Sequence, residues 1–534
     1  MPKFFITTAI DYPNGIPHIG HAYEKVLADV VARYRRRRGD EVFFLTGVDQ
    51  HGQKMQRTAD QEGVNVATLA QRNTKKFLDL WEKLEVRFDG WAATTDERHK
   101  ACVQKVLTAL HEDGQLYKKA YKGFYSVRQE QYLTEKDRNE EGAFGEEWGE
   151  VIELEEENWY FRLSEHAGWL EQMVACGQLR ILPEFRRSEV LNAIERAGDT
   201  DLCISRPKER LHWGIEFPFD SDFVTYVWFD ALINYISFAG YLKDAGSDLP
   251  DFSRLWPANA HVIGKDILVP AHAIYWPCML HAMGFPDEEM PTLLVHGWWN
   301  IKKVDHGSGQ EGETEEKMSK SLGNVVDPVE LADLYGIDAV RYYLVRDIVT
   351  GKDSAFDVTR LVTLFNAELA NDLGNLLNRS LNMTKRFLGG ELTLSGYDDE
   401  ACAAVRESLS GATGAYLAAM DDYDLPVALK ALNDHVVHCN KFIEQNPPFE
   451  LRKDETQAER VAAILFHLCE SCAHLAILLA PFLPAATAKI LHQLRAGELE
   501  PGTLDNLRWG LLPPGHQIGK PKPVFPRIIP DDEE

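Results

Sequence analysis

The sequence predicts an α/β fold: a doubly wound parallel sheet split by an inserted domain, followed by an α-helical bundle. Three observations carry that expectation. A buried strand, a turn, an amphipathic helix and a second buried strand open the chain. An aromatic- and acid-rich stretch interrupts this pattern from about residue 117, and beyond about residue 356 nearly every segment has helical periodicity. With 534 residues there is room for roughly three to four domains of ordinary size. Lys and Arg number 57 against 83 Asp and Glu, a formal net charge of −26. A protein held on DNA by its overall field would carry a basic face, so the balance excludes that class and leaves room only for a local basic patch. Eight cysteines are too sparse for a disulfide scaffold, and the N-terminus lacks a basic segment followed by an apolar one. No uninterrupted apolar run approaches the length of a membrane span. The chain therefore reads as soluble, reduced and cytoplasmic, with neither a membrane nor DNA as partner.

Taken in order, Phe4-Phe5-Ile6-Thr7-Thr8-Ala9-Ile10 is an apolar, β-branched run that reads as a buried strand, and Asp11 to Gly15 is turn chemistry. A helix follows, with Tyr23, Val26, Leu27, Val30, Val31 and Tyr34 on one face. Arg33 and Arg35 to Arg38 place cations in its last turn, and Gly39 ends it. Glu41 to Thr46 is the next strand, which completes a βαβ unit and makes residues 1–116 the first half of the sheet domain. Residues 117–223 read as the insertion, with the acidic run Glu140 to Glu157 as solvated surface. Strand character returns at Phe223 to Phe229 and at His261 to Gly264, so residues 224–325 form the second half, and 326–360 connect it onward. Helices are expected at Leu361–Phe387, Asp398–Met420, Leu425–Gln445, Asp454–Leu479 and Pro484–Leu494, a bundle over 361–512, with an irregular tail at 513–534.

Two motifs carry chemistry. Pro17-His18-Ile19-Gly20-His21 lies where a helix begins at the carboxyl end of a parallel strand, the place where such sheets bind phosphate-bearing ligands. Glycine allows close approach to the backbone, and imidazole N–H groups can donate to phosphate oxygens. Read alone, the two histidines could equally be a metal pair or a solvated turn. Lys317-Met318-Ser319-Lys320-Ser321, after a polar, Gly-rich loop from Asp305 to Glu316, places two ammonium groups where they could close on a polyphosphate. Alone, that run reads as a surface loop.

Together, a HIGH tetrapeptide and a KMSKS pentapeptide about 300 residues apart resemble the class I aminoacyl-tRNA synthetases. Within that class the chain is most similar to the methionyl-tRNA synthetases. The supporting stretches include Phe44 to Gly52, Ile204 to Pro207, Tyr226 to Ala231, Gly264 to Ile267, Leu369 to Asn375 and Pro523 to Ile528.

The resemblance implies a Rossmann-like catalytic domain split by a connective domain, with a helical anticodon-binding domain after it. It also implies ATP-dependent activation of L-methionine to methionyl-adenylate and transfer to the 3′ end of tRNA(Met), initiator and elongator. His18, His21, Lys317 and Lys320 become the catalytic residues, and Gly20, Asp266 and Ser319 join them in binding ATP. Ile10, Tyr12, Trp228, Ala231, Leu232, Tyr235 and His272 fall where the family builds its methionine side-chain pocket, and Asp49 where it binds the α-ammonium. Those residue types suit the ligand, because a thioether packs well against aromatic rings and a carboxylate makes a charge-assisted bond to an ammonium. Leu232 stands where proline is common in the family, and His272 comes one residue later than usual.

Asn375 and Arg379 match the family's anticodon-reading pair, with Phe449 in place of a tryptophan. Mg²⁺ is expected to arrive transiently with ATP. No structural zinc is expected, because Tyr125 to Glu130 lacks the CxxC found in many relatives. Cys469 and Cys472, a lone CxxC, read as a buried helical face, and His435 and His438 as bundle residues. Arg35 to Arg38, Lys317 to Lys320, Arg379 and Lys385-Arg386 are candidates for a basic track along tRNA. The chain is expected to act as a monomer, having no tRNA-binding extension after Ile528. The alternatives are another class I synthetase or a non-catalytic tRNA-binding paralogue, the second disfavoured by the intact motifs.

Overall fold

The computed structural model describes residues 2–126, 131–133, 137–139, 142–197, 200–225, 227–304, 313–317, 326–393 and 397–529. The first strands are β1 (Lys3–Thr8), β2 (Glu41–Val48) and β3 (Gly90–Ala93). Next come β4 (Leu116–Ser126), β5 (Gln131–Leu133), β6 (Val151–Phe161), β7 (Ile181–Leu182) and β8 (Leu202–Cys203). They are followed by β9 (Ser205–Pro207), β10 (Glu216–Phe217), β11 (Asp220–Thr225), β12 (Ala260–Gly264) and β13 (Leu293–His296). The central sheet has the order β3-β2-β1-β12-β13-β7, with every neighbour parallel. Strand order runs outward from the β1/β12 junction, through β2 and β3 on one side and β13 on the other with β7 added at that edge, which makes the carboxyl ends of β1 and β12 a topological switch point and the natural crevice of such a sheet. Between the strands runs the helix Ile19–Arg37, whose apolar residues are all buried, between the sheet on one side and, at Tyr34, the bundle on the other.

The stretch read as an insertion, 117–223, supplies β4, β5, β6 and β8 as one antiparallel sheet and β9 to β11 as a second. It also supplies β7 to the central sheet, through the pairs Leu293 with Ile181 and Leu294 with Leu182. Leu170, Met173 and Val190 around it share a core with Val106 and Leu107. A strand of two residues has no periodicity of its own, so no local pattern marks it. The strand expected at Phe223 to Phe229 ends at Thr225 and gives way to the helix Val227–Ser237. Phe229, Leu232, Ile233 and Ile236 recur at helical spacing and are all buried, which decides the period.

A small sheet follows, in which β14 (Trp299–Val304) lies between β15 (Glu313–Lys317) and β16 (Ser354–Phe356). The bundle then consists of a long helical run from Val358 to Leu388 and the helices Glu400–Asp421, Leu425–Gln445, Ala458–Leu479 and Pro484–Leu494. The segment Glu455–Leu479 is long and apolar enough to cross a membrane by composition, yet its apolar window is wholly buried as the central helix of the bundle. Within it Glu470 accepts backbone N–H groups from Gly510, Leu511 and Leu512 at 2.6–2.9 Å, and so ties down the C-terminal segment.

The sheet domain and bundle are joined through buried charge. Arg341, fully buried, donates to Asp29 at 2.7 Å and to the carbonyls of Leu84, Pro481 and Phe482. The arginines at the end of helix Ile19–Arg37, candidates for a tRNA track, are paired too, at the partly exposed edge of the junction. Arg35 and Arg38 pair with Asp421, Arg37 with Glu500, Arg38 also with Asp505, and Arg36 with Asp89. Arg35, Arg37 and Arg38 thus clamp one domain to the other, while Arg36 is held within the sheet domain.

Candidate active site

A cavity of about 480 Å³ opens at the switch point, on the carboxyl ends of β1, β2, β12 and β13. Ile10, Tyr12, Asp49, Trp228, Ala231, Leu232, Tyr235 and His272, the expected methionine-binding set, all line it. So do His18, Gly20, His21 and Asp266 from the expected nucleotide set. Ser319 and Lys320 lie outside the described residues. Lys317 ends β15 opposite Asn300, next to the cavity residues Trp298 and Trp299. On the other side of that segment, Val326 O accepts from Ile19 N at 3.2 Å. Both flanks of residues 318–325 are therefore anchored at the rim of one cavity.

The two motif histidines are held by backbone. His18 is the N-cap of its helix; its Nδ1 accepts from Gly20 N at 3.1 Å, while His21 Nδ1 accepts from His18 N at 3.0 Å. This reciprocal cap satisfies two of the helix's orphan donors. It also fixes the neutral tautomer, because a ring whose Nδ1 accepts must carry its hydrogen on Nε2. The rings lie 3.8 Å apart at their centroids. A Cβ on Gly20 would come within 3.0 Å of the His18 ring, so this fold-back requires glycine or a shifted ring.

At the opposite end, Tyr235 OH donates to His272 Nε2 at 2.8 Å, and His272 Nδ1 donates to Ile267 O at 2.8 Å. Burial lowers the His272 pKa to about 4, so its ring is neutral at physiological pH. Tyr235 stacks on His261 at 4.2 Å and packs beside Trp276, which makes a rigid aromatic wall. Asp49, buried, accepts from His51 N and Thr94 Oγ1, both at 3.2 Å. Behind it His51 Nδ1 lies 2.9 Å from Asp230 Oδ2. Burial pushes that carboxyl up to about 8 and the imidazole down to about 3, so the pair is held neutral. Trp298 Nε1 donates to Asp266 at 3.1 Å.

Sequence reasoning missed Asp11, Glu24, His296 and Trp298 in this wall. Two of them left a signal. Glu24 falls three residues after His21 on the same helical face, and His296 ends the apolar run Leu293 to Val295, where a strand delivers its last side chain to the crevice.

Elsewhere, Asn375 is exposed on the helix Asn375–Leu388 with the half-buried Arg379 one turn on. Phe449 is 52% exposed, with the Arg386 guanidinium 5.8 Å from its ring. Cys469 and Cys472 are buried, and burial raises the Cys469 thiol to about 12. Asp398, Cys402 and His467 converge as metal ligands would. Arg406, however, donates to both Asp398 oxygens and lies 2.7 Å from His467 Nε2, a cation already in place.

This fold and its motif pair define a class I aminoacyl-tRNA synthetase. The family model for class I tRNA synthetases (M) matches residues 4–143 and 148–381, and that for the anticodon binding domain of methionyl tRNA ligase matches 394–534. The chain belongs to the methionyl-tRNA synthetases, the methionine–tRNA ligases. It is 38% identical over 537 residues to the methionine–tRNA ligase of Listeria monocytogenes serotype 4b (strain F2365), covering 98% of this chain and 78% of that one. It is 36% identical over 546 residues to that of Bacillus subtilis (strain 168), covering 99% and 78%. Among solved structures, the Mycobacterium tuberculosis methionyl-tRNA synthetase bound by methionyl-adenylate matches with a TM-score of 0.89 at 36% identity, covering 98% of this chain and all of that one. The apo form of the same enzyme matches at 0.83 and 34% identity, covering 99% of each chain.

Proposed function

We propose that the switch-point cavity is where this ligase makes methionyl-adenylate. The supporting observation is that both motif histidines line one cavity with Asp49 and the Tyr235–His272 wall. The thioether packs against Trp228, Tyr235 and His272, and Asp49 takes the α-ammonium. The methionine carboxylate then attacks the α-phosphate of ATP in line, and pyrophosphate leaves with the P–O bond electrons. The Nε2–H groups of His18 and His21 donate to phosphate oxygens, Asp266 meets the nucleoside, and Lys317 and Lys320 hold the leaving pyrophosphate. No covalent enzyme intermediate is required, so positioning and charge stabilisation carry the rate. Mg²⁺ would arrive with ATP and would offset part of the phosphate charge. A tRNA 3′-terminal hydroxyl finally attacks the adenylate carbonyl and releases AMP.

Residues 1–116 and 224–325 then act as the catalytic domain around the connective segment 117–223, with 326–360 leading into the anticodon-binding bundle, 361–512, and the tail, 513–534. Asn375 and Arg379 read initiator and elongator tRNA(Met), and Phe449 offers a stacking face. Structural zinc is left out of this reading, and the chain acts as a cytoplasmic monomer. ATP–pyrophosphate exchange across the amino acids tests the core of it: exchange with methionine alone is expected, and none with any amino acid would favour a binding-only paralogue. Lys320→Ala should lower the exchange rate about 10²–10³-fold with methionine affinity little changed. Equal losses in both would remove Lys320 from the phosphate side.

A further inference from the structure

One wall of the cavity holds a cluster of charged groups for which the activation steps have no use. Lys25 is fully buried and donates to Ala9 O at 2.9 Å, Asp11 Oδ1 at 2.8 Å and Glu24 Oε1 at 2.6 Å. Three acceptors occupy its three N–H groups. Glu24 turns its other oxygen to His296 Nε2 at 3.0 Å, while His296 Nδ1 faces Gly297 O at 2.8 Å. Both nitrogens of His296 thus face oxygen, which fixes the ring between Gly297 and Glu24. One ammonium, that of Lys25, is shared by the two carboxylates Asp11 and Glu24.

Placement gives the cluster its meaning. Asp11, Glu24 and His296 line the cavity, whereas Lys25 lies behind them. The ammonium links the carboxyl end of β1 and the turn after it to the helix that carries His18 and His21, and Glu24 continues the chain to the end of β13. A cavity that admits ATP phosphates and a substrate carboxylate would be closed to both by two unbalanced carboxylates. An ammonium sealed behind the wall offsets much of that field without competing for the phosphates. Buried ion pairs are poor sources of stability, so stability alone does not account for this one.

We propose that Lys25 is a positioning residue for methionine activation: it braces the Ala9–Asp11 turn against Glu24, and thereby sets the spacing and charge balance between the methionine side and the nucleotide side of the cavity. This rests on reading the cavity as the activation site. The test uses the full-length chain with Lys25→Met and with the double substitution K25M/D11N, following ATP–pyrophosphate exchange, the two KM values and the unfolding midpoint. K25M is expected to lower exchange kcat/KM at least about 100-fold, the scale of a small misplacement at a reacting centre. KM for ATP rises more than KM for methionine, because the unbalanced carboxylates face phosphate. The double variant, which removes the surplus negative charge, recovers at least about tenfold of that loss. Exchange by K25M within about threefold of the parent overturns the proposal, as does a double variant no more active than K25M at equal folded fraction. Where K25M alone does not fold, the double variant decides, with activity within about tenfold of the parent as support and anything lower as refutation. Failure of both to fold assigns Lys25 to structure and also overturns it. Asp49→Asn separates the two readings: an unchanged methionine KM there defeats the site itself, whereas a raised one leaves the site standing whatever Lys25 does.

Discussion

The switch-point cavity and the core of the helical bundle both bury histidines and carboxylates and pair them within the protein, but those of the first also border an open void and those of the second lie among packed helices. Around the cavity, Asp49, Glu24, His272 and His296 are buried or nearly so and still line a void of about 480 Å³. In the bundle Glu470 is occupied by three backbone N–H groups and His474. His435 lies between Ser408 and Cys439, and Arg406 spans Asp398 and His467. The residue types are the same, so type alone says little about function. What separates the regions is whether the held groups border a space that a ligand can enter.

That contrast can be broken most directly at His21. His21→Ala should lower the exchange rate about 10²–10³-fold, because a donor aimed at developing phosphate charge is lost, while methionine affinity measured by equilibrium dialysis stays within about threefold. A mere tenfold loss would reduce His21 to a helix cap.

Glu470→Ala is the converse. It removes the acceptor of three backbone N–H groups, of which that of Leu512 is buried, and should cost about 3 kcal/mol of stability in urea unfolding, with exchange per folded molecule unchanged. Altered exchange at equal folded fraction would mean that the bundle core reaches the cavity.

Arg379→Ala sharpens the comparison at the bundle surface. Aminoacylation should show about a tenfold higher KM for tRNA, within the range of one lost base contact, and exchange without tRNA should not change.

The smallest effect is expected in pH. Burial holds His272 near a pKa of about 4 and His99 and His435 near about 3, each below the ordinary 6.5. These rings take up protons only on unfolding, so stability is full above pH 6.5 and falls as pH drops toward 4. The slope is at most about 1.4 kcal/mol per pH unit for each ring. Asp230, raised to about 8, acts in the opposite direction over that range and offsets His51. Urea midpoints at pH 7 and pH 5 measure the balance, and equal values would show these rings to be solvated.

Much of the fold is legible in the chain alone. The opening βαβ unit, the helix ending at Arg37 before Gly39, and the helices Leu425–Gln445 and Pro484–Leu494 follow from apolar spacing and capping residues, signals that lie within one turn or one strand. The illegible parts share a different feature. Strand β7 is two residues long, the switch from strand to helix after Thr225 falls inside one apolar run, and the arginines of helix Ile19–Arg37 look like a basic patch until Asp421 and Glu500 arrive from the bundle.

The sequence by itself determined the class of enzyme, through two short motifs whose spacing has meaning only on a split sheet followed by a bundle, and it supplied the methionine-side residues by resemblance. Only the tertiary structure decided what stands behind them. Lys25 finds Ala9, Asp11 and Glu24 within its own βαβ unit, but Glu24 finds His296 across 272 residues of chain. That pairing depends on β13 standing two places from β1 in the sheet, and strand order across an insertion leaves no local trace in composition or period.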